Sequence, residues 1–190
     1  ILTLTISYLI GSIPTAYIFG RLLKGIDIRQ FGSGNVGATN ALRILGKGPG
    51  VTVLLLDLLK GFIAVVLLGD IISQQTMSLP CGVIRILLGV ACICGHNWTV
   101  FLKFKGGKGV ATTLGVLLGL SLRIACLKSI FILTILTWFV VFLFSKIISL
   151  ASIVSGFALP FYMFFLTRSK LLTLLGILLF AFISLRHKAN

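Results

Sequence analysis

From residue 1 to residue 185 the chain is a succession of apolar runs of membrane-spanning length, separated by short polar intervals. A water-soluble core built from 190 residues cannot bury that many runs. A bilayer accepts them if each satisfies its backbone polar groups within a helix. The composition agrees, with 58% hydrophobic and 11% charged residues. A removable leader does not account for the pattern, because it repeats to the C-terminal end. The expectation is an all-α, polytopic integral membrane helical bundle forming a single transmembrane domain over residues 1–190.

Seven transmembrane helices fit the pattern, at about residues 1–23, 51–68, 79–102, 107–122, 127–144, 153–167 and 171–185. The first is interrupted by Gly11-Ser12-Ile13-Pro14, where proline removes a backbone donor and bends the helix. In the second, Asp57 and Lys60 are three apart and share a face. Ionised groups at that depth require partners or a wet cavity, so a mutually neutralising pair and a share in a functional site both remain open. Gly115 and Gly119 have the spacing that lets helices approach closely. Polar connections are expected at 70–78 and at Lys146 to Ser152.

The charge is strongly one-sided, with 17 Lys and Arg against three acidic residues, all aspartate. With seven crossings and the C-terminus inside, eleven basic residues fall on the inner side, five fall outside or near it, and Lys60 stays within a span. The excess of Lys and Arg in cytoplasmic loops then predicts an external N-terminus and a cytoplasmic C-terminus. The same topology gathers four polar clusters on the cytoplasmic face, independently of the hydropathy that places the spans. Basic loops attract anionic head groups and anionic substrates alike. Nucleic acid is not the expected partner, because the charges are scattered among short loops with no recognition module beside them.

Two of the clusters have the chemistry of an anion site. Gly32-Ser33-Gly34-Asn35-Val36-Gly37-Ala38-Thr39-Asn40 combines glycines that expose amides with short hydrogen-bonding side chains, flanked by Arg29 and Arg43. A short helix over about 39–45 would bring Arg43 onto the same side as Thr39, one turn away. Lys103 to Thr113 carries three lysines and the glycines Gly106, Gly107 and Gly109 immediately before an apolar helix, where amides and ammonium groups converge on its first turn. His96, followed by Asn97 and Trp98, opens the approach to this second cluster.

Nucleotide motifs fail on context. Gly32-x-Gly34-x-x-Gly37 matches the dinucleotide glycine pattern, but it lies between hydrophobic spans and not in a βαβ unit. Lys105 to Thr112 lacks the residue order of a P-loop. Cys92-x-Cys94-x-His96 steps by two, which on a helix sends the side chains to different sides, so the four cysteines read as packed thiols and no metal is expected. A pocket of amides, arginine and lysine at a membrane surface suits a phosphorylated molecule whose other part enters lipid. That leaves a lipid-synthesising transferase and a phosphate-ester transporter or lipid-binding module as alternatives.

The motifs together resemble a known family, the bacterial integral-membrane glycerol-3-phosphate acyltransferase that uses acyl phosphate as donor. The resemblance rests on Gly11-Ser12-Ile13-Pro14, Asp27-Ile28-Arg29, the 32–40 run with Arg43, Asp57-Leu58-Leu59-Lys60-Gly61, Gly95-His96, Phe104 to Thr112, Ser149-Leu150-Ala151-Ser152, and Arg186-His187 with Asn190. It departs at Lys146-Ile147-Ile148 and at Thr99 after Trp98. The chain stops where members continue into a short tail, so a C-terminal truncation is expected. The resemblance implies transfer of an acyl group from acyl phosphate to sn-glycerol 3-phosphate, giving lysophosphatidic acid and phosphate. It also implies a multi-pass protein of the bacterial cytoplasmic (inner) membrane, needing no cofactor, with membrane lipids around it and an acyl-phosphate-producing enzyme as a functional partner. By the same resemblance Ser33, Asn35, Thr39, Asn40, His96 and Lys108 form the catalytic set. Gly34, Gly37, Arg43, Lys105, Gly106, Gly107, Gly109, Ser149, Ser152, His187 and Asn190 bind substrate.

Overall fold

The computed structural model describes residues 1–73 and 80–188, which form two compact units, residues 1–119 and 120–190. In the first unit, α1 (Leu2–Ser12) and α2 (Thr15–Lys24) are one apolar span broken at Ile13 and Pro14. They are followed by α3 (Ala38–Leu45), α4 (Lys47–Ser73), α5 (Cys81–Asn97) and the beginning of α6 (Val110–Arg123). In the second, α7 (Leu127–Ser145), α8 (Ile148–Thr167) and α9 (Lys170–Lys188) follow the end of α6. Alpha-helices, with two short 3-10 turns, make up the regular structure of the described residues.

Six segments are long and apolar enough to cross a membrane: Leu2–Lys24, Lys47–Ile72, Cys81–Leu102, Leu127–Ser145, Ile148–Thr167 and Lys170–Lys188. The expected span at 107–122 is realised as α6, only 14 residues long, or about 21 Å at 1.5 Å per residue. The reason lies in the glycine-rich segment before it, whose backbone remains irregular up to Gly109.

Small residues set the close packing of the first unit. A Cβ at Gly11 would strike the Cys92 backbone, and one at Gly95 would strike the Tyr8 backbone, so α1 and α5 cross backbone to backbone. Ser7 and Ser12 donate across the same crossing to the carbonyls of Leu88 (2.6 Å) and Gly95 (3.3 Å). Gly61 of α4 lies against Thr112 of α6, while Gly115 and Gly119 lie against Leu58 and Val65, as their spacing predicted. In the second unit Gly176 of α9 lies against the backbone at Pro160 of α8.

Several expected boundaries move, each for a local reason. α4 starts at Lys47, because Pro49 falls in the first helical turn, where its missing N–H has no intrahelical partner to lose. It also runs through Asp70, which was expected to start a polar connection; Arg85 of α5 donates to its carboxylate at 2.6 Å and to the Val65 carbonyl at 2.8 Å. The rest of that connection, 74–78, lies outside the described residues. α8 begins at Ile148, so Ser149 and Ser152 are helical and do not form a polar edge. Ser152 donates to the Ile148 carbonyl one turn back and accepts from Trp138 Nε1 at 3.1 Å, which ties α7 to α8. Of the four cysteines, Cys92 is buried as expected of a packed thiol, but Cys81 and Cys126 are exposed.

Candidate active site

The first glycine-rich cluster is organised from within by Asn40. Its side-chain Oδ1 accepts from the Ser33 amide at 3.0 Å, and its Nδ2 reaches the carbonyls of Ile28, Phe31 and Asn35 at 3.0–3.2 Å. Three acceptors on one NH2 group draw the loop around a single point. Gly32, at φ +60°, passes so close that a Cβ there would meet Asn40 Oδ1. Val36, Ala41 and Leu45 close the underside by packing with Ala16, Ile28 and Val53. The polar side chains expected at an anion, Ser33 and Arg43, remain exposed, and Asn35 and Thr39 are half-buried. Thr39 and Arg43 sit one turn apart on α3. Substituting Asn40 by Ala should lower stability by about 1–3 kcal/mol, read as a lower denaturation midpoint, and open residues 31–40 to protease.

All three carboxylates of the chain are already paired. Asp27 holds Arg29 at 2.6 Å, Asp57 holds Lys60 at 2.8 Å and Asp70 holds Arg85 at 2.6 Å. Hydrogen bonding from Arg29 keeps the Asp27 carboxyl below its ordinary range, against the opposing effect of burial. Those pairings consume acidic groups near the loops and leave a net charge of +14, so compensating anions must come from outside the chain.

The second cluster folds back onto the end of α5. The amides of Gly106 and Gly107 donate to the carbonyls of Asn97 (3.2 Å) and His96 (3.0 Å). A Cβ at Gly106 would overlap the backbone of His96 and Asn97, and one at Gly107 would overlap Nε2 of the His96 ring. Gly109, at φ +75°, lies against the Asn97 side chain. Gly106, Gly107 and Gly109 are buried, Lys108 is half-buried and Lys105 is exposed.

A small open cavity joins the two clusters inside the first unit. Val36 from one loop and Gly106 and Gly107 from the other line it, with Ser12, Pro14, Thr15, Asp57, Lys60, His96 and Thr99. Its floor satisfies the broken first span. Thr99 donates to the Ser12 carbonyl at 2.6 Å, Lys60 donates to the Ile13 carbonyl at 3.2 Å, and Thr15 donates to Asp57 at 2.6 Å. Sequence reasoning missed Thr15 and Thr99. Pro14 was the available signal, since a helix broken at membrane depth leaves carbonyls that need donors.

Ser149, Ser152 and His187 belong to the second unit. Ser149 is exposed, Ser152 is buried in its contact with Trp138, and His187 Nδ1 lies 2.7 Å from the Ile183 carbonyl. Asn190 lies outside the described residues.

Residues 1–190 match the family model described as glycerol-3-phosphate acyltransferase. A glycerol-3-phosphate acyltransferase 2 of Moorella thermoacetica is 47% identical over 168 residues, covering 88% of this chain and 79% of the relative. A glycerol-3-phosphate acyltransferase of Gloeobacter violaceus is 45% identical over 186 residues, covering 97% and 85%. The crystal structure of PlsY, an integral membrane glycerol 3-phosphate acyltransferase in its glycerol 3-phosphate form, is similar over 100% of this chain and 88% of its own, with TM-score 0.84 and 37% identity. Its lysophosphatidic acid form is similar with TM-score 0.81 and 36% identity. Six spans of sufficient length and apolarity among the described residues and likeness over all 190 residues to an integral membrane enzyme make this a multi-pass membrane protein, and the chain belongs to the glycerol-3-phosphate acyltransferase family.

Proposed function

We propose that the protein transfers a fatty acyl group from acyl phosphate to the primary hydroxyl of sn-glycerol 3-phosphate, as a single acyltransferase domain in phospholipid synthesis. The observation that carries the reading is the shared cavity. Two glycine-rich loops about seventy residues apart in the chain meet there, in a fold like that of a relative solved with the acceptor and with the acylated product.

The glycerol oxygen attacks the acyl carbon, the bond from that carbon to the phosphate oxygen breaks, and phosphate departs with the electron pair. The proton leaving the hydroxyl passes to a phosphate oxygen of the substrates. An acyl phosphate is a mixed anhydride with a good leaving group, so this balance needs neither a cofactor nor an acyl-enzyme. Ser33, Asn35, Thr39 and the amide at Gly37 stabilise charge on the carbonyl and the departing phosphate, while the Gly34 amide closes the loop on the Phe31 carbonyl at 3.1 Å. Asn40 positions them through the bonds it makes within the loop. Arg43, Lys105, Lys108 and the amide of Gly109 hold the acceptor phosphate, while Gly106 and Gly107, whose amides are bonded to the end of α5, fix the loop that carries the two lysines over His96. His187, Ser149, Ser152 and Asn190 come to the reaction by family resemblance; the hydroxyl of Ser152, with two bonds inside its own unit, has a structural role as well.

Purified protein supplied with acyl phosphate and glycerol 3-phosphate should yield lysophosphatidic acid and phosphate without acyl-CoA. Movement of glycerol 3-phosphate across vesicles with no product would instead support a transporter. Arg43→Ala should lower kcat/KM for glycerol 3-phosphate by about 10- to 100-fold, with Arg43→Lys recovering part of it, because lysine lacks the planar fork. An unchanged value in folded protein would remove Arg43 from the site.

α6 completes seven crossings, short as it is, with the N-terminus outside and the C-terminus and active site on the cytoplasmic side of the bacterial inner membrane. The basic loops supply the support for that orientation. A cysteine introduced at Lys105, in a background lacking Cys81 and Cys126, should react with an impermeant thiol reagent only from the cytoplasmic face. Labelling only from the other face would reverse the topology. The donor must come from a reaction that phosphorylates an activated acyl group, which makes an acyl-phosphate-producing enzyme the functional partner.

A further inference from the structure

We infer that Asp57 is a positioning residue for the second glycine-rich loop, acting through His96; the inference rests on the acyltransferase reading for its consequence and on geometry for its content. Asp57 lies in the middle of α4 and is 1% exposed. One of its oxygens, Oδ1, gathers groups from three helices: Thr15 Oγ1 of α2 at 2.6 Å, Lys60 Nζ of α4 at 2.8 Å and His96 Nδ1 of α5 at 3.7 Å. The first two contacts serve the fold. Thr15 and Lys60 flank the break in the first span, and Lys60 also donates to the Ile13 carbonyl left by that break.

The third contact has a different consequence. At 3.7 Å it is an electrostatic pairing and not a hydrogen bond, but it faces Nδ1 of the ring toward the carboxylate. The other ring nitrogen, Nε2, is the atom nearest to where a Cβ of Gly107 would stand. The carbonyl of the same histidine accepts from the Gly107 amide at 3.0 Å. His96 therefore holds Gly107 by its backbone and supports it by its ring, and Asp57 fixes that ring from behind. A carboxylate facing Nδ1 favours the proton on that nitrogen, where it interacts with the negative charge. Loss of the carboxylate removes the charge that faces Nδ1, the ring turns about its remaining contacts, and the surface under Gly106 and Gly107 shifts with it. Displacement by about an ångström of the loop that carries Lys105 and Lys108 is enough to lower turnover by roughly 100-fold.

A purely structural ion pair predicts something else. Asp57 and Lys60 would then act on folding alone, and their effect would be indifferent to the state of His96. The comparison uses full-length protein in detergent with acyl phosphate and glycerol 3-phosphate as substrates. Asp57→Asn with Lys60→Met removes both buried charges together, so neither is left uncompensated. This folded double variant should lose about tenfold or more in kcat/KM, and the loss should fall to within about threefold when His96→Gln is already present, because residues acting in series are not additive. Additive losses, or a folded double variant with native kcat/KM, would overturn the inference.

A second measurement needs no variant of Asp57. The chain has two histidines, so nitrogen-15 labelling of imidazoles with His187→Gln as the assignment control gives the proton positions of His96 directly. A proton on Nδ1 agrees with the inference. A ring protonated on Nε2 alone contradicts it, whatever the kinetics show, and this readout decides the matter if the double variant does not fold. Native protein with the Nδ1 signature that forms no lysophosphatidic acid would refute the acyltransferase reading and leave the Asp57–His96 pairing in place.

Discussion

Lys60→Ala should cost about 3–5 kcal/mol of stability, a loss large enough to leave little native protein in a bundle of ordinary marginal stability. The Asp57 carboxylate is 1% exposed and Lys60 6%, so water entering by the small cavity they line is a poor substitute for the ammonium group at 2.8 Å. The Ile13 carbonyl loses one of two donors at the same time and keeps only the Thr15 amide at 3.1 Å. The carboxylate keeps the Thr15 hydroxyl at 2.6 Å, which does not offset its charge. Removing both charges together should recover most of the loss, since neither side then carries an uncompensated charge. Unfolding midpoints of the single and the paired variants in the same detergent provide the comparison. A native midpoint for Lys60→Ala would mean that the Asp57 carboxylate is compensated by other groups.

Gly106→Ala should abolish useful turnover, by roughly 100-fold or more, while most of the helical structure persists. The new methyl group would overlap the His96 carbonyl and stand 2.8 Å from the Asn97 carbonyl carbon. Both are backbone at the end of α5, and backbone does not swing aside as the tip of a lysine does. The loop must lift instead, and with it the Gly106 and Gly107 amides that pair with α5. Gly48→Ala is the matching control, because a Cβ there meets nothing within 4 Å. Circular dichroism and product formation, measured on both variants, separate loss of the loop from loss of the fold. Native kcat/KM in Gly106→Ala would show that the loop accepts a different path and would remove it from the anion site.

Helices, their approximate number and the basic character of their connections were legible in the sequence. Hydropathy over some twenty residues is a local property, and lipid leaves the backbone little choice once it is given. The two glycine-rich loops were equally plain, since glycine and short polar side chains advertise exposed amides wherever they occur. Spacing alone put Asp57 beside Lys60, and Gly115 and Gly119 on one packing face. Other features depended on partners distant in the chain. Asp70 joined α4 because Arg85, fifteen residues on and in another helix, donates to it. Ser152, read as a polar edge, became a link to Trp138. Asn40 looked like one more polar side chain near an anion, yet it is the residue around which the first loop is wound. Most of all, Val36 and Gly106 line one cavity, beside which the carbonyls of Ile13 and Ser12 next to Pro14 are received by Lys60 and Thr99. A sequence shows which backbone groups a proline will leave without partners; which donors then reach them, and what those donors draw together, is decided by the packing of helices.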